Sequence, residues 1–204
     1  MSIISSAKWI TLSLLTFSFS VLHAQQSTQP TTNQNPLNNI GEVKVVASGF
    51  ISTEGPVWHK KSNSLIFSDI PGETIYALEA DTATLSVLRN PSNNANGLVL
   101  DNQGFLLAAE QKTRVISRMD LATSEVVPFI SRFEFDGATK KFNSPNDIAV
   151  FHDGSVFFTD PPFGLRGKTS ELGFNGIYVR YPSGQINLIK RMPLDKKPNG
   201  IIFN

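Results

Sequence analysis

At residues 54–58 the sequence reads EGPVW, and three later stretches repeat its shape: NGLVL at 96–100, NDIAV at 146–150 and NGIIF at 199–203. We call these four pentapeptides the repeat motifs, and we call their first residues the lead residues: Glu54, Asn96, Asn146 and Asn199. Successive lead residues lie 42, 50 and 53 positions apart. This period is typical of the blades of a β-propeller rather than of a short-repeat solenoid.

The repeat continues beyond each of these motifs. A turn and a short apolar run follow the first three repeat motifs, and each run ends on an acid 15, 14 or 14 residues after its lead residue: Asp69, Glu110 and Asp160. A predicted hairpin then completes each unit: Thr74–Ala80 with Thr84–Leu88, Arg114–Leu121 with Glu125–Ile130, and Gly176–Tyr181 with Gln185–Lys190. Four short strands in about 45 residues predict a propeller blade, and no stretch carries a sustained helical period.

The repeat predicts an all-β domain over residues 41–204, with three full blades and the start of a fourth. We expect one further strand at Val43–Phe50, suited to closing the ring by joining the last blade. Because a propeller closes at four to eight blades, we expect these residues to be a part of a longer protein, truncated at the C-terminus.

The composition and the N-terminal sequence limit the classes of partner and the cellular location that we expect. The chain has 204 residues and a net charge of +1, which argues against a nucleic acid partner.

Met1–Ala24 has the charge, apolar stretch and small final residue of a signal peptide, and its apolar part is too short to span a bilayer. We therefore expect a secreted or periplasmic protein with no membrane partner after signal removal. The uncharged residues 25–40 predict a flexible polar linker.

The chain contains no cysteine, which excludes disulfides, thiolate catalysis and zinc-thiolate sites. Only His59 and His152 remain after the predicted signal peptide. A metal ion must therefore be held mainly by oxygen, and oxygen ligands select hard cations such as calcium or magnesium.

The lead residues are the candidate binding residues. The first strand of a propeller blade lines the central channel, so a residue just before it lies at one mouth of that channel. The second strand runs back, which places its final acid at the same mouth but further out. Carboxylate and amide oxygens that converge on an axis suit calcium, which takes six to eight oxygen ligands. The alternative is that Asn-Gly and Asn-Asp serve only as turns, but four repeat motifs in register favour the calcium site.

Three sequence motifs occur together in this chain: EGPVW at 54–58, SPNDI at 144–148 with FTDPP at 158–162, and PNGI at 198–201. In combination they resemble the gluconolactonase family, which includes senescence marker protein (regucalcin) and is related to diisopropylfluorophosphatase. The resemblance covers about residues 43–204. It implies a six-bladed β-propeller, present here as about three blades, built around a catalytic divalent cation that is usually calcium.

The resemblance also implies roles for individual residues. Glu54 and Asn199 fall on metal ligands, and Asn146 falls on a position that binds either the metal or the substrate. Asn96 is a further candidate on the substrate side. The remaining metal ligand is an Asp that begins the next blade, about 40–50 residues beyond the last residue of this sequence. No general base is assigned: Asp160 and Glu110 are candidates, beside that missing Asp.

The chain departs from the regucalcin-type members at one position. Those members carry an Arg two residues before the position of Asn146, where this chain has Ser144. An Arg contact to sugar hydroxyls is therefore not expected. Bacterial gluconolactonase-like sequences match better through the stretch PPFGL at 161–165.

We predict a calcium-dependent hydrolase of a lactone or sugar-acid lactone, in which the metal polarises the carbonyl and a carboxylate activates water. Two alternatives stay open: a non-catalytic extracytoplasmic binding module, and a hydrolase of organophosphates or other esters on the same scaffold. We expect activity from the full-length protein and none from these 204 residues alone.

Overall fold

The computed structural model describes residues 41–203, and the predicted signal peptide and linker lie outside them. Three antiparallel four-stranded sheets form the blades, each with its strands in sequence order. Blade 1 contains β1 (Thr53–His59), β2 (Ser64–Asp69), β3 (Thr74–Glu79) and β4 (Leu85–Arg89). Blade 2 contains β5 (Ala95–Leu100), β6 (Leu106–Glu110), β7 (Val115–Met119) and β8 (Val126–Ile130).

A two-stranded hairpin, β9 (Phe133–Phe135) and β10 (Ala138–Lys140), separates blade 2 from blade 3. Blade 3 contains β11 (Ile148–Val150), β12 (Val156–Asp160), β13 (Asn175–Arg180) and β14 (Ile186–Met192). Within residues 41–203 the helical segments are two 3-10 turns, Lys60–Ser62 and Phe163–Leu165. The predicted all-β propeller fold is confirmed. No helix in this part of the chain is long and apolar enough to cross a membrane.

Blade 2 shows why the blades stack. Its second strand, β6, is buried along its whole length. Leu106 and Ala108 pack into a core shared with blade 1, whereas Leu107 and Ala109 pack into a core shared with blade 3. Side chains alternate between the two faces of a strand, so a strand that is apolar at four successive positions can bury both faces. The packed faces hold the first strands of neighbouring blades side by side.

Two features differ from the expectations. Val43–Phe50 forms no strand, because it pairs with none of the described strands, and the last blade that it was expected to join is not among them. The hairpin β9–β10 was not predicted, since each of its strands has only three residues. This hairpin belongs to the 50-residue interval between the second and third lead residues.

Candidate functional site

The four repeat motifs meet at one cavity of about 580 Å³, which we call the central cavity. Its apolar wall comes from the first strands of the blades and from the stretch at 199–203. Polar side chains line the cavity where the repeat motifs begin: Glu54, Asn96, Asn146, Asp147 and Asn199. The structure therefore brings all four lead residues to one site.

Irregular strand pairing aims the first two lead residues. The register of β1 against β2 shifts between Glu54 and Val57, and that of β5 against β6 shifts between Ala95 and Leu98. A β-bulge re-aims side chains and occurs often beside functional sites. The same irregularity in both repeat motifs is the local cause of their shared orientation.

Hydroxyl groups on the second strands of blades 1 and 3 tie the first repeat motif to the second and the third to the fourth. The Ser68 hydroxyl lies 3.0 Å from the carbonyl oxygen of Glu54 and 2.8 Å from that of Asn96, and it donates between them. In blade 3, Thr159 Oγ1 donates to the carbonyl oxygen of Asn199 at 2.7 Å. Both hydroxyls stand one residue before the acid that ends the strand. They fix the spacing between neighbouring lead residues.

The glycines of the repeat motifs allow this close approach. The Gly97 amide donates to the carbonyl oxygen of Asn146 at 2.7 Å. A Cβ at Gly97 would lie 2.4 Å from Asp147 Oδ1 and 2.7 Å from that same carbonyl oxygen. Gly55 has a φ of +54°, and a Cβ there would lie 2.3 Å from the carbonyl oxygen of Asn96. Only glycine fits where two backbones pass this closely.

Asp147 stands where the other three repeat motifs have glycine, and sequence analysis did not single it out. Its Oδ1 accepts the amide of Ile148 at 2.9 Å, and its Oδ2 accepts the amide of Ile201 at 2.8 Å. The carboxylate thus joins the third repeat motif to the fourth. The sequence signal for this linking role was an acidic residue at the position where the other three repeat motifs have glycine.

The lead residues themselves keep their side chains free. Asn146 is only 3% exposed and Asn96 only 7%, whereas Glu54 and Asn199 are exposed. None of the four side chains makes a hydrogen bond to another residue within 41–203. Neither amide is among the enclosed unpaired polar atoms of the described residues, so both are accessible to a ligand or to water in the central cavity that they line.

This donor set fits a hard cation. Side-chain amide and carboxylate oxygens are ligands of calcium, and the central cavity offers three amides and the Glu54 carboxylate. No group of three or more His, Cys, Asp or Glu residues in the described part of the chain is placed to hold a metal ion. The described residues that line the central cavity include no His and no Cys, so a soft or nitrogen-liganded metal does not fit them, whereas their oxygen donors suit calcium.

The acids that end the second strands lie behind the lead residues. Asp69 is buried, and its two oxygens accept the amides of Ile51 and Ser52 at 3.0 and 2.9 Å. These amides lie three and two residues before Glu54. Asp69 therefore anchors the segment that leads into the first repeat motif.

Asp160, a candidate catalytic residue, makes the same connection in blade 3. It has no exposed surface, and its oxygens accept the amides of Asn143 and Ser144 at 2.8 and 2.7 Å. These residues lie three and two positions before Asn146. Burial raises the pKa of Asp160 to about 7, although the two amide hydrogen bonds and the positive charge of Arg114 act in the opposite direction.

Glu110, the other catalytic candidate, is also buried and bonded. It pairs with Arg89 at 2.7 Å and accepts the side-chain amide of Asn93 at 2.9 Å. Asn93 lies three residues before Asn96, so the connection recurs in blade 2 through a side chain. Neither Glu110 nor Asp160 lines the central cavity.

Ser144 has a structural role in place of the Arg of regucalcin-type sequences. It is fully buried, and its Oγ accepts the amide of Gly164 at 2.9 Å. Gly164 belongs to the 3-10 turn that follows β12. The hydroxyl thus holds the loop after β12 close to the third repeat motif.

Comparison with known proteins identifies close similarities. Residues 52–204 match the family model described as SMP-30/Gluconolactonase/LRE-like region. The chain is 31% identical to a gluconolactonase of Zymomonas mobilis over 179 residues, which cover 79% of this chain and 48% of the relative. This chain therefore spans about half the length of that relative.

Two solved structures are also similar. A gluconolactonase from Xanthomonas campestris shares 31% identity with a TM-score of 0.65, over 72% of this chain and 50% of that one. A calcium-binding protein, regucalcin, from Agrobacterium tumefaciens shares 17% identity with a TM-score of 0.54, over 72% of this chain and 46% of that one. At that level of identity the second likeness shows the fold alone.

Proposed function

Because the chain belongs to the SMP-30/gluconolactonase/LRE-like family, we propose that the full-length protein hydrolyses a lactone with a calcium ion bound in the central cavity. Two relatives above 30% identity are gluconolactonases, and a calcium-binding regucalcin shares the fold. A lactone or sugar-acid lactone is accordingly the proposed substrate. A secreted or periplasmic location, which the predicted signal peptide favours, is part of the same proposal.

One observation carries the proposal. The lead residues bring one carboxylate and three amides to a single cavity, and none of these side chains bonds to another described residue. The neighbouring acids Asp69, Glu110 and Asp160 differ, because each is buried and hydrogen-bonded. Residues that serve only as turns do not need to gather four unpaired polar side chains around one cavity.

The roles of the residues follow from their positions. Glu54 would supply negative charge to the cation, and Asn146 and Asn199 would supply amide oxygens. Asn96 would face the substrate. A bound calcium ion would polarise the lactone carbonyl toward attack by water. The apolar wall of the central cavity would limit the access of other water molecules to the ring.

The carboxylate that activates water is a separate question. Both oxygens of Asp147 accept backbone amides. Glu54 is therefore the carboxylate without a partner among the described residues that line the central cavity. Asp160 and Glu110 stay candidates for the general base, although their hydrogen bonds favour the anchoring of the segments before the repeat motifs.

Lactone hydrolysis by the full-length protein tests the proposal. We expect turnover of glucono-1,5-lactone with calcium and its loss in a chelator. Glu54→Gln should lower turnover and calcium affinity by at least about tenfold, because it removes the unpaired carboxylate while keeping the shape of the side chain. Glu125→Gln is the matched control, since Glu125 is exposed and does not line the central cavity.

Three outcomes would contradict parts of the proposal. Undiminished turnover in a chelator would refute the role of the metal. Hydrolysis of esters or organophosphates without lactones would favour the ester hydrolase. The absence of turnover with every lactone and metal, together with intact folding, would favour the non-catalytic binding module.

A further inference from the structure

A separate and smaller pocket, of about 180 Å³, lies behind the repeat motifs of blades 2 and 3. We call it the rim pocket, and it is lined by Asn94, Gln111, Lys112, Gly164, Leu165, Arg166 and Lys168. It shares no lining residue with the central cavity. The amides of Gln111 and Lys112 donate to the carbonyl oxygens of Asn94 and Asn93, which places the rim pocket beside the segment that leads into Asn96.

The loop after β12 closes the rim pocket from the side of blade 3. A Cβ at Gly164 would lie 2.4 Å from Ser144 Oγ and 2.7 Å from Gln111 Cβ, so the loop presses directly on blade 2. One residue further on is Leu165, which is buried. Arg166 Nη2 then donates to Asn94 Oδ1 at 3.2 Å. These contacts hold the loop in one position across two blades.

The rim pocket is positively charged. Three of its seven lining residues are cations, and none is an Asp or Glu. Lys112 pairs with Glu73 at 2.6 Å, but Glu73 does not line the pocket. Arg166 has five N–H donors, and its bond within residues 41–203 goes to the neutral amide of Asn94. Arg166 and Lys168 therefore keep positive charge for another group.

Gln111 adds a free hydrogen-bonding group to the rim pocket. It is only 7% exposed and lines the rim pocket. Its side-chain amide makes no hydrogen bond to any residue in the described part of the chain, although its backbone amide does. The amide is not among the enclosed unpaired polar atoms of the described residues, so it is accessible to a group that enters the rim pocket. The charges of Arg166 and Lys168 beside it favour an anionic group.

We propose that the rim pocket binds an anionic group, a carboxylate or a phosphate, at the far end of a substrate whose lactone ring lies in the central cavity. This inference rests on the proposed lactone hydrolysis. The rim pocket is smaller than the roughly 300 Å³ of a typical small-molecule site, so it suits a substituent rather than a separate ligand.

The spacing of the two sites agrees with a single substrate. Asn94 lines the rim pocket and Asn96 lines the central cavity. The Cα atoms of Asn94 and Asn96 are therefore at most about 7 Å apart, a separation that a sugar-acid chain can reach. Arginine binds carboxylate and phosphate through paired hydrogen bonds. The rim pocket would therefore make the enzyme selective for lactones that carry a second acidic group.

Kinetics on matched lactones test this selectivity in the full-length protein. The substrates are glucono-1,5-lactone, its 6-phosphate, and a glucaric acid lactone with a carboxylate at the same end. We expect the double variant Arg166→Gln/Lys168→Gln to lower kcat/KM for the two anionic lactones by about tenfold or more, chiefly through KM. Its kcat/KM for the neutral lactone should fall much less than its kcat/KM for the two anionic lactones. Lys190→Gln, an exposed lysine on β14, is the control.

A binding experiment separates this inference from the proposed function. Calorimetry with inorganic phosphate and with acetate should show binding to the wild type and its loss in the double variant. If no lactone is hydrolysed but this loss is seen, the proposed function fails and the rim pocket stands. Equal kcat/KM of wild type and double variant on all three lactones, or phosphate and acetate binding that survives the double substitution, would overturn the inference. The relative effects on the phosphate and the carboxylate substrates identify which anion the rim pocket prefers.

Discussion

Asp160 shows how a single buried carboxylate organises the third repeat motif. Its two oxygens accept the amides of Asn143 and Ser144, so the charged form is well solvated by the backbone. Its complete burial nevertheless favours the neutral form and sets its pKa at about 7. Tyr178 lies nearby with a buried hydroxyl that has no partner among the described residues. Burial and the charge of Asp160 both raise the pKa of Tyr178.

The raised pKa of Asp160 predicts a pH dependence of stability. Between about pH 4 and pH 7 the folded chain holds a proton that the unfolded chain releases, because the ordinary pKa is 3.8. The free energy of unfolding should therefore fall, through this group, as the pH rises across that range. Urea unfolding at several pH values measures the slope.

Two variants check this assignment. Asp160→Asn should flatten the slope between about pH 4 and pH 7. It should also cost about 1–3 kcal/mol at the acidic end, since an amide has one acceptor oxygen for two backbone amides. Asp153→Asn is the control, because Asp153 lies on the surface and its pKa is lowered by hydrogen bonds to Ser155. An unchanged slope in Asp160→Asn would show that another group titrates in this range.

At the level of residues, the sequence predicted where the site residues lie better than it predicted their hydrogen-bond partners. The lead residues could be found because their types recur in register, and all four line one cavity. The linking role of Asp147 and the unpaired amide of Gln111 could not be found in this way, because each depends on contacts between segments far apart in the sequence. The spacing of Asp69, Glu110 and Asp160 predicted their place behind the lead residues but not their hydrogen bonds to the preceding segments.

At the level of elements, the close packing of neighbouring repeat motifs yields a matched pair of variants. Gly97→Ala places a methyl group 2.4 Å from Asp147 Oδ1 and 2.7 Å from the carbonyl oxygen of Asn146. We expect it to destabilise the fold by about 1–3 kcal/mol or more, as overpacking does. Gly200→Ala occupies the same position of its repeat motif, but the nearest atom, Asp147 Oδ2, lies at 3.8 Å. It should change the unfolding free energy little. Equal effects of the two substitutions in urea unfolding would contradict this account of the packing.

The ends of the strands could be predicted closely because turn residues flank the strands in the sequence. The hairpin predicted at Gly176–Tyr181 and Gln185–Lys190 corresponds to β13 at Asn175–Arg180 and β14 at Ile186–Met192. Val43–Phe50 is not a strand among the described residues, which do not include the last blade that it was expected to join. The hairpin β9–β10 was missed because strands of three residues leave no clear alternation.

At the level of the whole molecule, apolar side chains are exposed on the fourth strands of blades 1 and 3. Val87 on β4 is 61% exposed and Ile189 on β14 is 52% exposed. Exposed strand edges with apolar residues favour association between chains. The gluconolactonase relative is longer than this chain, whose match covers 48% of it.

The last prediction compares the 204-residue chain with the full-length protein. Calcium affinity depends on the number of charged ligands and on the rigidity of the site. Among the described residues of the central cavity, Glu54 is the one carboxylate without a partner. We therefore expect the isolated chain to bind calcium at least about tenfold more weakly than the full-length protein and to hydrolyse no lactone. Calorimetry and turnover assays measure both, and a β-type circular dichroism spectrum controls for unfolding. Equal calcium affinity, or lactone turnover by the folded isolated chain, would show that the four lead residues are sufficient for the site.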